Sequence, residues 1–412
     1  MTESISQIID FHRLALEKDK DFVHPRSLID QLRGQSSPHY VGIVGPRGVG
    51  KTVLLKQLAA AAPDRSLYIS LDTIPADEDL FQIIARLNRD YGYTTFLLDE
   101  VYSYPDYDEV LKKMYDFLSI SVCFTSSIAL KMKRSAVDLS RRVVLHHLYP
   151  FSFREYLFFK HGLSIPSLSF DQISGRAWTP EHMRAGIYFD EYLTGGLMPF
   201  ALREPAPLKI LANIIDTIVE KDVAVAGQLP PHELLVIKKM IGFIGLSGVD
   251  GINYTSLANN LKITKYKAEQ YLELLEDAFV AQRIFPAGTN VTREPKVLLA
   301  PPYRLLYRNY EEAAGGLRED YFAATMRALP VKINYLKSTR GAKTPDFYVH
   351  FPGQDKIVIE IGGSRKGRSQ FKDFKADRKY IFASGDTVDD LRRPLFMLGF
   401  LEAAAVDKTM PA

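Results

Sequence analysis

One cysteine and one tryptophan occur in 412 residues, and no apolar run is long enough to cross a bilayer. A single thiol, Cys123, excludes an internal disulfide framework and fits a reducing compartment. It falls in an apolar run, Ile120-Ser121-Val122-Cys123-Phe124, which suits packing rather than chemistry. No His/Cys cluster has the spacing of a zinc site. The first residues, Met1 to Ser6, lack the basic start and apolar core of a signal peptide, so the expected setting is cytoplasmic, with no membrane partner. Charge of one sign is also lacking overall: 52 Lys and Arg stand against 49 Asp and Glu. The remaining composition, 46% hydrophobic and 25% charged, is that of a globular chain of two to four domains.

Against that ordinary background one motif stands out. Gly45-Pro46-Arg47-Gly48-Val49-Gly50-Lys51-Thr52 fits G-x-x-x-x-G-K-[ST], the phosphate-binding loop of nucleoside triphosphatases. Its glycines let the backbone curl so that N–H groups converge on phosphate oxygens. Lys51 is placed for the β- and γ-phosphates of ATP, and the Thr52 hydroxyl for Mg²⁺. A short, mostly apolar strand, His39 to Val44, precedes the loop. A helical run starting at Val53 follows, adding its dipole to anion binding.

Tyr93 to Glu100 reads as a buried strand ending in two acids at the edge where α/β sheets place their ligands. Asp99 is expected in the Mg²⁺ shell and Glu100 as the general base that polarises water. Thr125-Ser126-Ser127 ends the next strand. Thr125 suits contact with the γ-phosphate or the water, and equally a helix N-cap. Lys131, Lys133, Arg134, Arg141 and Arg142 follow. Either Arg141 or Arg142 can stabilise transition-state charge, from the same chain or a neighbouring copy, and a solvated basic turn explains them as well.

The expected architecture is α/β, a P-loop doubly wound parallel sheet followed by three further pieces. Residues 1–34 form a helical lead-in with Ile8, Ile9, Phe11, Leu14 and Leu16 as its apolar face. Residues 35–150 form the P-loop domain and 151–228 a helical lid. Residues 229–300 form a winged helix, with Lys262, Lys265 and Lys267 near the start of its third helix and wing strands near 280–285 and 297–299. That module either reads DNA or packs on protein. Residues 301–412 form an α/β domain with a helix starting at Gly316. Val331 to Tyr380 holds 12 Lys or Arg and 5 Asp or Glu, a polyphosphate footprint or a solvated surface.

In that last domain a three-residue turn at Pro352-Gly353-Gln354 places Asp346 opposite Glu360. With Glu319 these acids form a candidate second site for a divalent cation. Pro345-Asp346 and Glu360 resemble the PD-(D/E)XK nuclease pattern. The lysine of that pattern, two residues after the second acid, is here Gly362, with Lys366 or Gln370 as substitutes from the next segment.

Over nearly its full length the chain resembles bacterial and archaeal ATPases that join an AAA-type P-loop domain to a C-terminal nuclease-like domain. The matching stretches are 45–52, 97–100, 124–127, 139–142, 148–156, 192–199 and 360–370. The resemblance implies ATP binding, hydrolysis, and a winged helix between two α/β domains. The family more often has Thr-Gly-Ser at 125–127, and its Gly-Arg at 141–142 points to Arg142. Two functions follow as expectations: an ATPase that couples nucleotide to nucleic-acid binding, or a nucleotide-dependent switch on a protein partner or a second copy, with the nuclease-like domain inactive.

Overall fold

The computed structural model describes residues 2–33, 38–128, 139–288, 294–336, 344–351, 356–364, 371, 376 and 378–401. Lys131, Lys133 and Arg134 lie outside these residues, as do Lys366 and Gln370 and eight of the twelve basic residues between 331 and 380. The chain divides into two compact units, Met1–Tyr149 and Pro150–Ala412.

The first unit is built on five parallel strands in the order β2-β3-β4-β1-β5. They are β1 Tyr40–Val44, β2 Ser66–Ser70, β3 Thr95–Asp99, β4 Ser121–Ser126 and β5 Val143–His147. Successive residues face opposite sides of a strand, so β3 divides its side chains between two cores. Leu97 joins Ile43, Cys123 and the inner face of α3 (Lys51–Ala60), where Leu54, Leu55 and Ala59 are buried. Phe96 and Leu98 join Leu67, Phe124 and two helices, α4 (Leu80–Tyr91) and α5 (Tyr107–Phe117). Covering both faces is what a parallel sheet of near-continuous apolar strands requires.

The lead-in belongs to this unit. It consists of α1 (Thr2–Lys18) and α2 (Ser27–Arg33), and its buried stripe is the expected one in part, with Ile8 buried and Ile9 and Leu16 packed on the core. Ile5, Ile8 and His12 face inward, whereas Phe11 and Leu14 are exposed. His12 is drawn in because its Nδ1 accepts the backbone N–H of Tyr68 at 3.1 Å, and burial holds its pKa below the usual value.

The second unit opens with α6 (Phe153–His161) and α7 (Pro207–Thr217), joined by short helical turns. Phe153 lies at the centre of an aromatic cluster, with rings of Phe189, Tyr192 and Phe400 centred 5.3 to 5.5 Å away. A Cβ on Gly399 would come within 2.3 Å of Phe153 Cβ, so only glycine lets the C-terminal turn close over this ring. The helical stretch through Tyr192 ends at Gly195, whose φ of 137° is open to glycine alone.

Three helices follow, α8 (Pro231–Leu246), α9 (Tyr254–Leu261) and α10 (Lys265–Asp277). After them β6 (Ala281–Ile284) pairs antiparallel with β7 (Lys296–Leu299). The last helix, α11 (Tyr310–Arg327), begins six residues before the expected Gly316. Asn309 caps it by accepting the N–H of Glu312 at 3.0 Å. Gly316 lies inside the helix because a Cβ there would meet the Arg304 guanidinium, 2.6 Å from Nε. A mixed sheet β12-β11-β10-β9-β8 completes the unit: β8 Lys332–Tyr335, β9 Phe347–His350, β10 Ile357–Gly362, β11 Lys379–Ala383 and β12 Arg392–Pro394. Strands β8, β9 and β10 are antiparallel, and β10, β11 and β12 are parallel.

Arg304 is 1% exposed and pins these elements together. Its Nε donates to Asp320 of α11 at 2.7 Å, and its Nη1 to the carbonyls of Ile244 and Ser247 at the end of α8, both at 3.0 Å. Replacing Arg304 by Met strands the Asp320 carboxylate in the core. We expect a loss of about 3–5 kcal/mol in urea unfolding, mostly restored by the double change Arg304→Met and Asp320→Leu. Equal instability of the double and single variants would show that Arg304 acts by shape rather than charge.

Candidate nucleotide site and acidic cluster

The loop from Gly45 to Gly50 leaves the carboxyl end of β1 and enters α3. Gly48 and Gly50 have φ of 83° and 88°, which glycine adopts without strain. Gly45 is required for a different reason. A Cβ there would fall 2.1 Å from the Leu148 carbonyl oxygen, beside the strand β5. Lys51 is 5% exposed, and its ammonium donates to the carbonyls of Gly45 and Pro46 at 2.8 and 2.9 Å. The loop is thereby curled around its own lysine. Thr52 and Val53 fill the first turn of α3 and are half-buried; Arg47 extends outward to the Tyr102 hydroxyl.

The acids of β3 meet this loop through β4. The Gly45 N–H donates to the Ser126 carbonyl at 3.3 Å. One residue earlier, the Thr125 hydroxyl donates to Asp99 Oδ1 and accepts the Glu100 N–H at 2.9 Å. Thr125 is therefore not an N-cap: it lies in β4 and bridges the two acids. Asp99 is 3% exposed and its Oδ2 accepts the Tyr68 hydroxyl at 2.9 Å. Burial and the Asp99 charge push the Tyr68 phenol well above its usual pKa, so it stays a donor. Glu100 stands in the left-handed region at φ 52°, ψ 54°, a conformation that costs a non-glycine residue about 1–3 kcal/mol. Its carboxylate lies 3.4 Å from the Ser127 hydroxyl. Burial pushes the Cys123 thiol up to about 12, leaving it a packing residue.

Two supports escaped the sequence reading. Tyr68 shows no motif, although its position on β2 beside β3 (Tyr68 opposite Leu97) brings its hydroxyl to Asp99. Arg26, in the lead-in, donates to the carbonyls of Val49 at 3.3 Å and Tyr149 at 2.7 Å, bracing the loop from behind.

Arg142 is not brought to this loop within the chain. It precedes β5, its carbonyl accepting the Tyr40 N–H at the amino end of β1, so the five-residue strand separates it from the loop by roughly 15 Å. Its guanidinium makes a two-pronged pair with Asp116, both contacts 3.0 Å, over the Tyr115 ring.

The second constellation differs more from expectation. The register of β9 on β10, with Ile359 opposite Phe347, carries Glu360 opposite Asp346 as the three-residue turn predicts. Yet among the described residues no group of three or more acidic, histidine or cysteine side chains is arranged to hold a metal ion. Glu319 lies against a cation already present in the chain. Its Oε2 is 2.5 Å from the ammonium of Lys296 on β7, both side chains about nine-tenths buried. Lys296 also reaches Asp250 at 3.3 Å, and the charge of Asp346 acts on it. Asp346 Oδ2 accepts the Ile361 N–H at 2.7 Å, and Glu360 is fully buried. Of the three acids expected at a second metal site, Glu319 lies in an ion-pair cluster centred on Lys296, a residue 23 positions before Glu319 that spacing rules had no means of finding.

Lys265 and Lys267 on α10 are likewise paired, with Glu294 and Glu233, so the basic start of that helix is neutralised in place.

Residues 37–157 match the model of an AAA domain, and residues 187–300 match a domain of unknown function (DUF8612). The first unit is thus an AAA-type P-loop domain. A protein of Methanocaldococcus jannaschii described only as uncharacterized is 28% identical over 389 residues, 86% of this chain and 82% of its own. Among solved structures, Aeropyrum pernix ORC1 in complex with DNA is 14% identical, covering 76% of this chain and 94% of its own, with a TM-score of 0.29. Thermotoga maritima RuvB, titled a Holliday junction branch migration motor, is 16% identical, covering 72% and 92%, with a TM-score of 0.30. At these TM-scores neither likeness carries an argument here.

The ion-pair cluster gives a test with a definite sign. Burial raises Glu319 to about 7 against the pull of Lys296. Lys296→Met removes that pull, so the folded-state pKa rises further above the unfolded value near 4.5. A carboxyl raised in the folded state loses stability as pH climbs through that interval. Unfolding free energy should therefore drop by about 3–5 kcal/mol at pH 8 and by much less at pH 5. A loss that is the same at both pH values would mean that Glu319 does not titrate in this cluster.

Proposed function

We propose that the chain is an ATPase whose AAA-type domain binds Mg²⁺-ATP and hydrolyses it, and whose larger unit passes the nucleotide state to a macromolecular partner. The observation that carries this reading is the linkage of Gly45, Ser126, Thr125, Asp99 and Glu100, which joins a phosphate loop to two acids at one sheet edge. The donor set fits the nucleotide and its metal: a curled loop of backbone N–H groups, a buried lysine, a threonine hydroxyl and a carboxylate. Lys51 exchanges its contacts with the Gly45 and Pro46 carbonyls for phosphate oxygens. Thr52 and Asp99 would hold Mg²⁺, which would supply positive charge to the phosphates. Thr125 and Tyr68 fix the Asp99 carboxylate, and Glu100 orients and deprotonates the attacking water, its backbone held by Thr125. The strained backbone at Glu100 supports this role, because such strain persists where function over-determines geometry.

Nucleic acid is the partner favoured by the basic surplus between 331 and 380, and the α8–α10 helices with the β6–β7 pair supply a winged-helix arrangement to grip it. Pairing of Lys265 and Lys267 supports the second reading, in which that module contacts protein. In both readings the C-terminal sheet is a non-cleaving, nuclease-like platform, because Lys296 takes up the carboxylate that would bind metal.

Glu100→Gln should leave ATP binding intact and lower turnover by about 10²–10⁴-fold, measured as phosphate release; normal turnover removes Glu100 as base. Lys51→Ala should weaken ATP binding and abolish turnover. The expected effect of adding DNA or RNA is faster turnover without strand cleavage in Mg²⁺ or Mn²⁺. Indifference to both nucleic acids would transfer the proposal to a protein partner.

Arg142 acts, on this reading, only from a neighbouring copy. Arg142→Ala and Glu100→Gln chains, each inactive alone, should regain part of the turnover when mixed. Full activity of Arg142→Ala by itself would assign Arg142 to its pair with Asp116 alone.

A further inference from the structure

A cavity of about 280 Å³ lies in the second unit between the helical turns 186–193, the first half of α11, and the loop after β11. That volume is at the small end of ligand sites, which span about 300–1,000 Å³. Its floor is the carboxyl end of β11, tied to the neighbouring parallel strand β10 by the Ser384 N–H donating to the Gly362 carbonyl at 3.1 Å. Ligands of α/β sheets collect at this edge. One wall is apolar, formed by Phe189, Leu193, Leu317 and Phe396. The opposite wall carries Arg318. Its Nε donates to the Ser384 hydroxyl at 2.6 Å, and no aspartate or glutamate pairs with its guanidinium among the described residues.

That is an unusual state for a half-buried charge, and burial holds the Arg318 pKa below its ordinary value. Two acids stand at the rim, Asp190 and Asp386, both exposed to water. Asp190 acts on Arg318 only at longer range, and its carboxylate accepts the Tyr310 hydroxyl. A Cβ on Gly363 would rest 3.5 Å from Arg318 Nη1, an ordinary contact, so this glycine lies beside the guanidinium. Elsewhere in this unit the buried cations Arg304 and Lys296 each have a carboxylate, Asp320 and Glu319, and the buried Arg393 is held by the backbone carbonyls of Ile173, Ser174 and Asp389.

We propose that this cavity binds a small organic oxyanion, a carboxylate or a phosphate ester, with its charged end on the Arg318 fork and Ser384 and its apolar body against Phe189, Leu193 and Phe396. A guanidinium presents two parallel N–H donors to such a group, and the apolar wall selects against a bare ion. Because the ligand would bridge the turns 186–193 and the C-terminal sheet, its binding would stiffen the larger unit.

Calorimetric titration of the full chain with benzoate, phenyl phosphate and inorganic phosphate tests this. One organic probe should bind saturably, and more tightly than inorganic phosphate; which one it is separates a carboxylate ligand from a phosphate ester. Arg318→Gln should weaken that binding about 10- to 100-fold, the worth of a charge-assisted hydrogen bond. Ser384→Ala, which keeps the charge, should weaken it by less and guards against misfolding of the first variant. The titrations are repeated in Lys51→Ala, where anion binding by the phosphate loop is lost. Binding lost in Lys51→Ala but kept in Arg318→Gln would assign the anion to the phosphate loop and overturn the proposal. So would the absence of saturable binding by either organic probe in the folded wild-type chain.

Discussion

A charge taken out of water must be met by opposite charge or by oriented dipoles, and that single requirement organises both units of this chain. In the smaller unit, the buried ammonium of Lys51 curls the phosphate loop by drawing two of its carbonyls inward. The buried carboxylate of Asp99 gathers two hydroxyls from β2 and β4. In the larger unit, Arg304 ties α8 to α11 through Asp320, and Lys296 ties β7 to α11 through Glu319. The apolar cores supply most of the driving force, but they are tolerant of register and direction. Buried charges are not, because a misplaced partner leaves one of them unsatisfied.

The nucleotide site shows how this works at close range. Thr125 is at once a donor to Asp99 and an acceptor for the Glu100 backbone. One hydroxyl therefore sets the orientation of the Asp99 carboxylate and holds Glu100 in its left-handed conformation. The Ser126 carbonyl, next along β4, receives the Gly45 N–H, so the loop and the acids are positioned from one strand. Pre-positioning of this kind is what phosphoryl transfer needs, where catalysis is largely alignment and electrostatics. Arg142 lies outside that arrangement, at the opposite edge of the same sheet. Any part it takes requires a second chain.

Local patterns reveal some of this directly. The phosphate loop, the strand ending in Asp99 and Glu100, and the helix–helix–helix–hairpin run from Pro231 to Leu299 are each written in contiguous residues, because the backbone conformations they need depend on glycine, alternation and caps nearby. The same holds for the pairing of Asp346 with Glu360, which a turn length predicts. Where the reading failed, a distant partner had changed the answer. Gly316 looks like a helix start until Arg304 is seen to occupy the space of its missing side chain. Phe11 looks like core until His12 is seen to receive the N–H of Tyr68.

By itself, then, the sequence determined the presence of a phosphate-loop motif, a strand ending in Asp99 and Glu100 and the order of elements, since each rests on interactions a few residues apart. Tertiary structure alone decided what the C-terminal acids do. Lys296 reaches Glu319 only because β7 and α11 pack together, and the resulting ion pair joins those two elements. It also decided that Arg318 pairs with no carboxylate among the described residues while its neighbours Glu319 and Asp320 each have a cation. Three successive residues on a helix point about 100° apart, so adjacent positions in sequence enter separate environments that no local pattern records.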